Sequence, residues 1–259
     1  MTTQARPALA LGGFSATFLG LEIRRLVRNR RTVVFTLIMP PVFFVIFGTQ
    51  GDFRNNHAFA HGNVTAFIAI SMGVYGAMLA ATSGGAMVSV ERAQGWSRQL
   101  RLTPLRPVAY IVTKMLVAMT MGLASVVVVF AVAAGFGAEM PVWVWISSGA
   151  IAWLGSSVFA AFGLFMGYLL PSENVMQILG PVLAVLAFAG GLFVPLADSG
   201  WFPVVATFTP LYGLATVARA PFTDPSAGTL LVASVNLIVW AGVFIGGAAV
   251  LFRRDTKRV

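Results

Sequence analysis

VTAFIAISMGVYGAMLAATSGGAMVSV, from Val64 to Val90, runs 27 residues without Asp, Glu, Lys, Arg or His and passes directly into ERAQGWSRQLRLTPLRP, from Glu91 to Pro107. A helix rises about 1.5 Å per residue, so the first stretch reaches roughly 40 Å, beyond the ~30 Å hydrocarbon core of a bilayer. The second stretch is too basic to follow it into lipid. One membrane span that stops at one water interface is the simplest reading of the pair.

Five more segments have the same apolar character: Val33 to Thr49, Val108 to Gly137, Val142 to Leu170, Asn174 to Val194 and Gly228 to Phe252. Val33 to Thr49 is the shortest and carries Pro40 and Pro41. Lys114, near one end of the third span, is the only ionisable residue within the six. Composition agrees: 58% of the 259 residues are hydrophobic and 10% charged, against about 25% charged in soluble domains. Without cysteine there is no disulfide framework, thiolate metal site or cysteine nucleophile. Residues 1–20 lack the order of a cleaved leader, and the first span is expected to act as an uncleaved signal.

The net charge of +9 is explained by where it sits. Fifteen of the 17 Lys and Arg flank the first span on its N-terminal side, follow the second span, or form the C-terminal tail. The alternate links hold Arg54 and Arg219 beside Asp52, Glu139, Asp198 and Asp224. Basic flanks are retained in the cytoplasm, so both termini are expected there, with an even number of spans between them.

Two segments do not read as simple spans. From Phe14 to Arg31, Phe18, Leu19, Ile23, Leu26 and Val27 gather on one side of a helix, with Arg24, Arg25, Arg28 and Arg31 toward the other. This suits an amphipathic helix in the membrane interface, its arginines reaching headgroups; a plain basic flank is the alternative. Residues 199–218 are apolar but interrupted by Pro203 and Pro210. Two helical turns that dip in and return would fit them, with their stranded backbone groups buried in protein, against an exposed loop as the alternative. Gly163 with Gly167, and Gly242 with Gly246, are expected to pack within the bundle.

The missing chemistry narrows the function. No carboxylate pair is expected at mid-membrane, and Asn236 and Gln177 read as packing groups. His57 and His61 stand four apart, but zinc needs three or four ligands, so a solvated outer loop is the better reading. Neither lysine follows a glycine, which excludes a Walker-type phosphate loop. The chain is therefore expected to lack catalytic and metal sites and to depend on another subunit for energy.

In the Glu91–Pro107 link, Ala93, Trp96 and Leu100 make one helical stripe, and Glu91, Gln94, Arg98 and Arg101 another. The helix is expected to stop at Thr103 before Pro104, with Gly95 in its interior at a cost of roughly 1 kcal/mol. The order Glu91, Arg92, Gly95, Leu100, Thr103, Pro104 resembles the coupling segment of type-2 ABC exporter permeases. Gly190 to Pro195, then Trp201-Phe202-Pro203, Thr209-Pro210-Leu211-Tyr212 and Arg219, are similar to that family's span-five and outer re-entrant signature. The link of residues 50–63 is short, so relatives with a large outer domain are poor guides.

The resemblance implies an all-α membrane protein with six transmembrane helices. It has an N-terminal amphipathic interfacial helix (residues 1–31 with the tail), a permease domain (32–259), a cytoplasmic coupling helix (91–107) and an outer re-entrant hairpin (199–218). It further implies two copies of a cytoplasmic ABC ATPase holding ATP and Mg2+, a second permease copy or paralogue, and contact with membrane lipids but not nucleic acid. Glu91, Arg92, Gly95, Trp96, Leu100, Leu102, Thr103 and Pro104 would couple to the ATPase. Phe193, Pro195, Trp201, Phe202, Pro203, Pro210 and Tyr212 would gate the outer side. The expected place is a bacterial cell (inner) membrane, and the expected cargo is amphipathic or apolar: a drug, antibiotic, peptide or lipid-like molecule. Polysaccharide or glycolipid export is the alternative within the family. A secondary transporter or channel, a membrane enzyme and a non-transporting anchor are the alternatives outside it.

Overall fold

The computed structural model describes residues 16–95, 107–193 and 200–257; Trp96, Leu100, Leu102, Thr103, Pro104, Pro195 and the side chain of Arg31 lie outside this description. The described chain is helical, apart from turns and one isolated bridge between Phe59 and Gly62. Helix α1 is Ala16–Arg28 and α2 is Arg30–Val33; a π turn, Val34–Ile38, leads into α3, Met39–Gly48. Then come α4 (Val64–Ala93), α5 (Pro107–Gly135), α6 (Val142–Gly155), α7 (Ser157–Leu169) and α8 (Ser172–Ala189). Two short helices, α9 (Trp201–Ala206) and α10 (Pro210–Thr223), precede the last, α11 (Ala227–Lys257).

Among the described residues, five segments are long and apolar enough to cross a membrane: α4, α5, α6 continued by α7, α8 and α11. The first expected span is a shorter apolar helix, Val34–Gly48, and its two prolines explain its irregularity. Pro40 and Pro41 have no N–H to give the carbonyls of Thr36 and Leu37. The backbone widens into the π turn, closed by Met39 N–H on the Val34 carbonyl. Ser125 Oγ of α5 then donates to the Thr36 carbonyl at 2.6 Å.

Helix α4 is the hub, packed most extensively on α5 and α7 and touching α3, α6, α8 and α10 as well. Its small residues make this possible. A methyl group on Gly84 would meet Ala118 of α5, and one on Gly85 would meet the Ala160 carbonyl of α7. From the other side, a methyl on Gly163 would strike the Thr82 carbonyl, and Gly167 lies against Ala86. The Gly163–Gly167 pair thus packs in the bundle as expected. Gly242 and Gly246 do not: both are exposed on α11 with open space before them.

Two boundaries differ from the sequence reading. The fifth span ends at Ala189, five residues before Val194, because Gly191 turns the chain at φ +70° and Leu192 N–H closes back on the Ala187 carbonyl. The interrupted segment is a pair of helices, and α10 runs on past Ala218 to Thr223. Its buried face, Leu211, Leu214, Ala215, Ala218 and Phe222, enters the core. The turn between α9 and α10 is held by α11: Asn236 Nδ2 donates to the carbonyls of Thr207 (2.7 Å) and Thr209 (3.1 Å), and its Oδ1 accepts from Gly213 N–H. Trp240 Nε1 donates to the Phe208 carbonyl. An irregular turn among apolar helices needs such partners.

Gly163→Val is expected to destabilise the bundle by roughly 1–3 kcal/mol through overpacking against α4, whereas Gly246→Val should leave stability unchanged. Thermal unfolding midpoints of the two variants in the same detergent check this contrast.

Candidate functional site

At the arginine-rich end, α4 stops where the link begins. Gln94 N–H bonds the Val90 carbonyl, Gly95 N–H bonds the Arg92 carbonyl, and Gly95 takes φ +72°. Glycine is favoured in this left-handed conformation because it has no Cβ. The expectation of one helix from Glu91 through Gly95 to Thr103 is therefore corrected: Glu91 and Arg92 are the last turn of a span, and Gly95 terminates it. Among the described residues nothing lies within 4 Å of a methyl group placed on Gly95, so within them its left-handed conformation is the feature that calls for glycine.

Glu91 turns into the bundle and is 2% exposed. Lys114 Nζ of α5 lies 2.5 Å from Glu91 Oε1 and 2.5 Å from Glu22 Oε2 of α1. Tyr110 donates its hydroxyl to Glu91 Oε2, and Arg25 Nη1 stands 3.3 Å from Glu91 Oε1. Three segments thus share one buried ion cluster, contrary to the expectation that Lys114 would be the lone charge among the spans. Glu22 was not singled out in the sequence, although it falls on the same helical stripe as Leu19, Ile23 and Leu26. Those three residues pack with Val33, Leu37, Ala80, Val117 and Met121, so α1 seats an apolar face and a carboxylate together. Val27, expected on that face, is 55% exposed. Arg24 and Arg28 are exposed as well.

Arg92 leaves the cluster and reaches α7. Its Nη1 donates to the carbonyls of Gly167 (3.2 Å) and Tyr168 (3.3 Å), with the guanidinium 5.2 Å from the Tyr168 ring centre. A cation at the carbonyl end of a helix opposes the helix dipole.

The opposite end gathers aromatic rings. Phe193 lies at the hub, with centroid distances of 5.8 Å to Phe43, 5.6 Å to Phe47, 5.2 Å to Tyr75 and 4.8 Å to Phe188. Trp201 and Phe202 of α9 are exposed and edge-on to one another, and Pro203 is half-buried. Pro210 is buried at the start of α10, where a missing N–H does no harm, and Tyr212 is half-buried beside it. None of these α9 and α10 residues joins the Phe193 cluster among the described ring contacts.

Arg219, expected in an outer link, is instead buried on α10. Its Nε and Nη2 donate to Ser71 Oγ of α4, Nη2 also donates to the Gly191 carbonyl at 2.7 Å, and the guanidinium lies 4.4 Å from the Phe67 ring centre. It pins the turn after α8 to the hub helix. At the same end, Asn63 caps α4 through Ala66 N–H and ties the two neighbouring links together by donating to the carbonyls of Arg54 and Gly137. His57 pairs with Glu139 at 3.3 Å and His61 stands edge-on to Trp143, so the two histidines engage different partners.

Lys114→Met strands two buried carboxylates and is expected to lower stability by about 3–5 kcal/mol. Adding Glu22→Gln and Glu91→Gln to it should recover most of that loss. Chemical denaturation of the three-site variant beside the single one decides the matter.

Residues 17–222 match the ABC-2 type transporter family. The chain is also 30% identical over 181 residues to the "Putative transport permease YvfS" of Bacillus subtilis (strain 168), a match covering 67% of this chain and 71% of that protein.

Proposed function

Because the chain belongs to the ABC-2 type transporter family and is a multi-pass membrane subunit that partners an ABC ATPase, we propose that it exports amphipathic or apolar molecules, such as a drug, antibiotic, peptide or lipid-like compound. Two cytoplasmic ATPase copies binding ATP and Mg2+ drive it, and two permeases, identical or paralogous, enclose the pathway in a bacterial cell membrane. Both termini then lie in the cytoplasm.

The observation that carries the cargo class is the aromatic cluster around Phe193. Phe43, Phe47, Tyr75 and Phe188 join the first, second and fifth spans there with no carboxylate among them. The outward faces beside it are apolar too, with Phe35, Ile38, Val42 and Ile46 on the first span and Ile178, Val185 and Phe188 on the fifth. Such surfaces offer apolar contact and few hydrogen bonds, which suits hydrophobic cargo better than ions or sugars. The buried charges are engaged by protein partners: Glu22 and Glu91 are balanced by Lys114 and Arg25 at the arginine-rich end, and Arg219, near the cluster, donates to Ser71 and the Gly191 carbonyl.

In this reading the cluster, with Pro195, Trp201, Phe202, Pro203, Pro210 and Tyr212, closes the outer side. Glu91, Arg92 and Gly95, followed by Trp96, Leu100, Leu102, Thr103 and Pro104, receive the ATPase motion. Arg24, Arg25, Arg28 and Arg31 hold the N-terminal helix in the interface.

The test is ATP-dependent uptake of a fluorescent amphipathic dye into inside-out vesicles carrying the permease and its ATPase. Phe193→Ala is expected to reduce uptake while the two subunits still copurify. Gly95→Val should abolish uptake with insertion intact, because valine resists φ +72°. Uptake that persists without ATP or without the ATPase would overturn the exporter reading.

A further inference from the structure

Between α1 and the neighbouring ends of α4 and α5 lies a cavity of about 270 Å³. Leu26, Gly84, Met87 and Val117 supply its apolar lining, and Arg25, Arg28 and Asn29 contribute cationic and polar groups, with the Glu22–Lys114–Glu91 cluster on one wall. At this size it is slightly smaller than the pockets that take drug-sized ligands, and it suits a headgroup with its first methylenes.

The charges select the headgroup. Glu22 and Glu91 are answered within the cluster by Lys114, Arg25 and Tyr110. Arg28 is left over, since among the described residues no carboxylate stands within ion-pair distance of it. Asn29 spends its side-chain oxygen on Thr32 N–H at 3.3 Å, and its amide NH2 group remains available to donate. One unmatched guanidinium and one amide donor beside apolar walls complement a phosphodiester joined to hydrocarbon. The α1 surface around them exposes Leu21 and Val27, apolar side chains that favour lipid over water.

We propose that this cavity binds one phospholipid from the leaflet at the arginine-rich end, its phosphate on Arg28 and Asn29 and its acyl chain along Leu26, Met87 and Val117. The lipid wedges between the N-terminal helix and the spans beside the ion cluster. This holds whatever cargo the permease carries, so failure of the export reading leaves it standing.

The test is native mass spectrometry of the full-length permease, purified in detergent and titrated with phosphatidylglycerol. Arg28→Glu is compared with Arg24→Glu, which changes the charge of the same helix equally but at a side chain outside the cavity. One tightly held lipid per chain is expected in the wild type and in Arg24→Glu, with affinity about tenfold weaker in Arg28→Glu. Equal loss in both variants, or in neither, overturns the site, because a diffuse basic surface or a non-specific annulus then explains the binding. Displacement of the lipid by millimolar inorganic phosphate overturns the lipid as ligand and puts the free anion in its place. Both residues are exposed, and a size-exclusion profile matching wild type confirms that each variant is folded before titration.

Discussion

The carbonyl of Thr36, deprived of its helical donor by Pro40, is held by Ser125 of another span, and the same requirement recurs at three further breaks in the bundle. Asn236 serves the turn between α9 and α10, Arg219 the turn after α8, and Arg92 the end of α7. In an apolar surround an unpaired peptide group costs several kcal/mol. Each of these four breaks is tied by a side chain from a different segment, and those ties also fix how the segments sit on one another. The chain can afford irregular helices only where a neighbour carries the matching polar group at the right depth.

The close approach of α4 to its neighbours is the complement of this rule. Gly84, Gly85 and Gly163 bring backbones together, and Gly76 lets Ser125 Oγ and Pro40 lie against α4, so that this short hydroxyl reaches the Thr36 carbonyl. A leucine in place of Gly76 would push Ser125 away from that carbonyl. Packing by small residues and satisfaction by polar ones are thus a single solution, with dispersion supplying the attraction that hydrophobicity cannot supply between helices already in lipid.

Sequence patterns revealed the apolar spans, the amphipathic character of α1 and the interrupted hairpin, because each is a local matter of period, length and proline placement. They did not reveal partners in three dimensions. Glu22 reads as one acidic residue among arginines until α5 is laid beside it and Lys114 appears. Arg219 reads as a loop cation because charge counting assigns any arginine between spans to water, whereas its α10 helix folds back into the core. Gly95 reads as an interior residue of one helix running to Thr103, and only its left-handed backbone shows that α4 ends there. Gly242 and Gly246 carry a packing signature without a packing neighbour among the described residues, so spacing alone does not distinguish a contact from an open surface.

The shared lysine also imposes an order on biosynthesis. Glu22 and Glu91 leave the ribosome before Lys114 does, and until the third span arrives neither carboxylate has the ammonium that neutralises it. Arg25 gives Glu91 one partner as soon as the second span is made, and the arrival of Lys114 completes the charge balance that fastens the N-terminal helix to the second and third spans together.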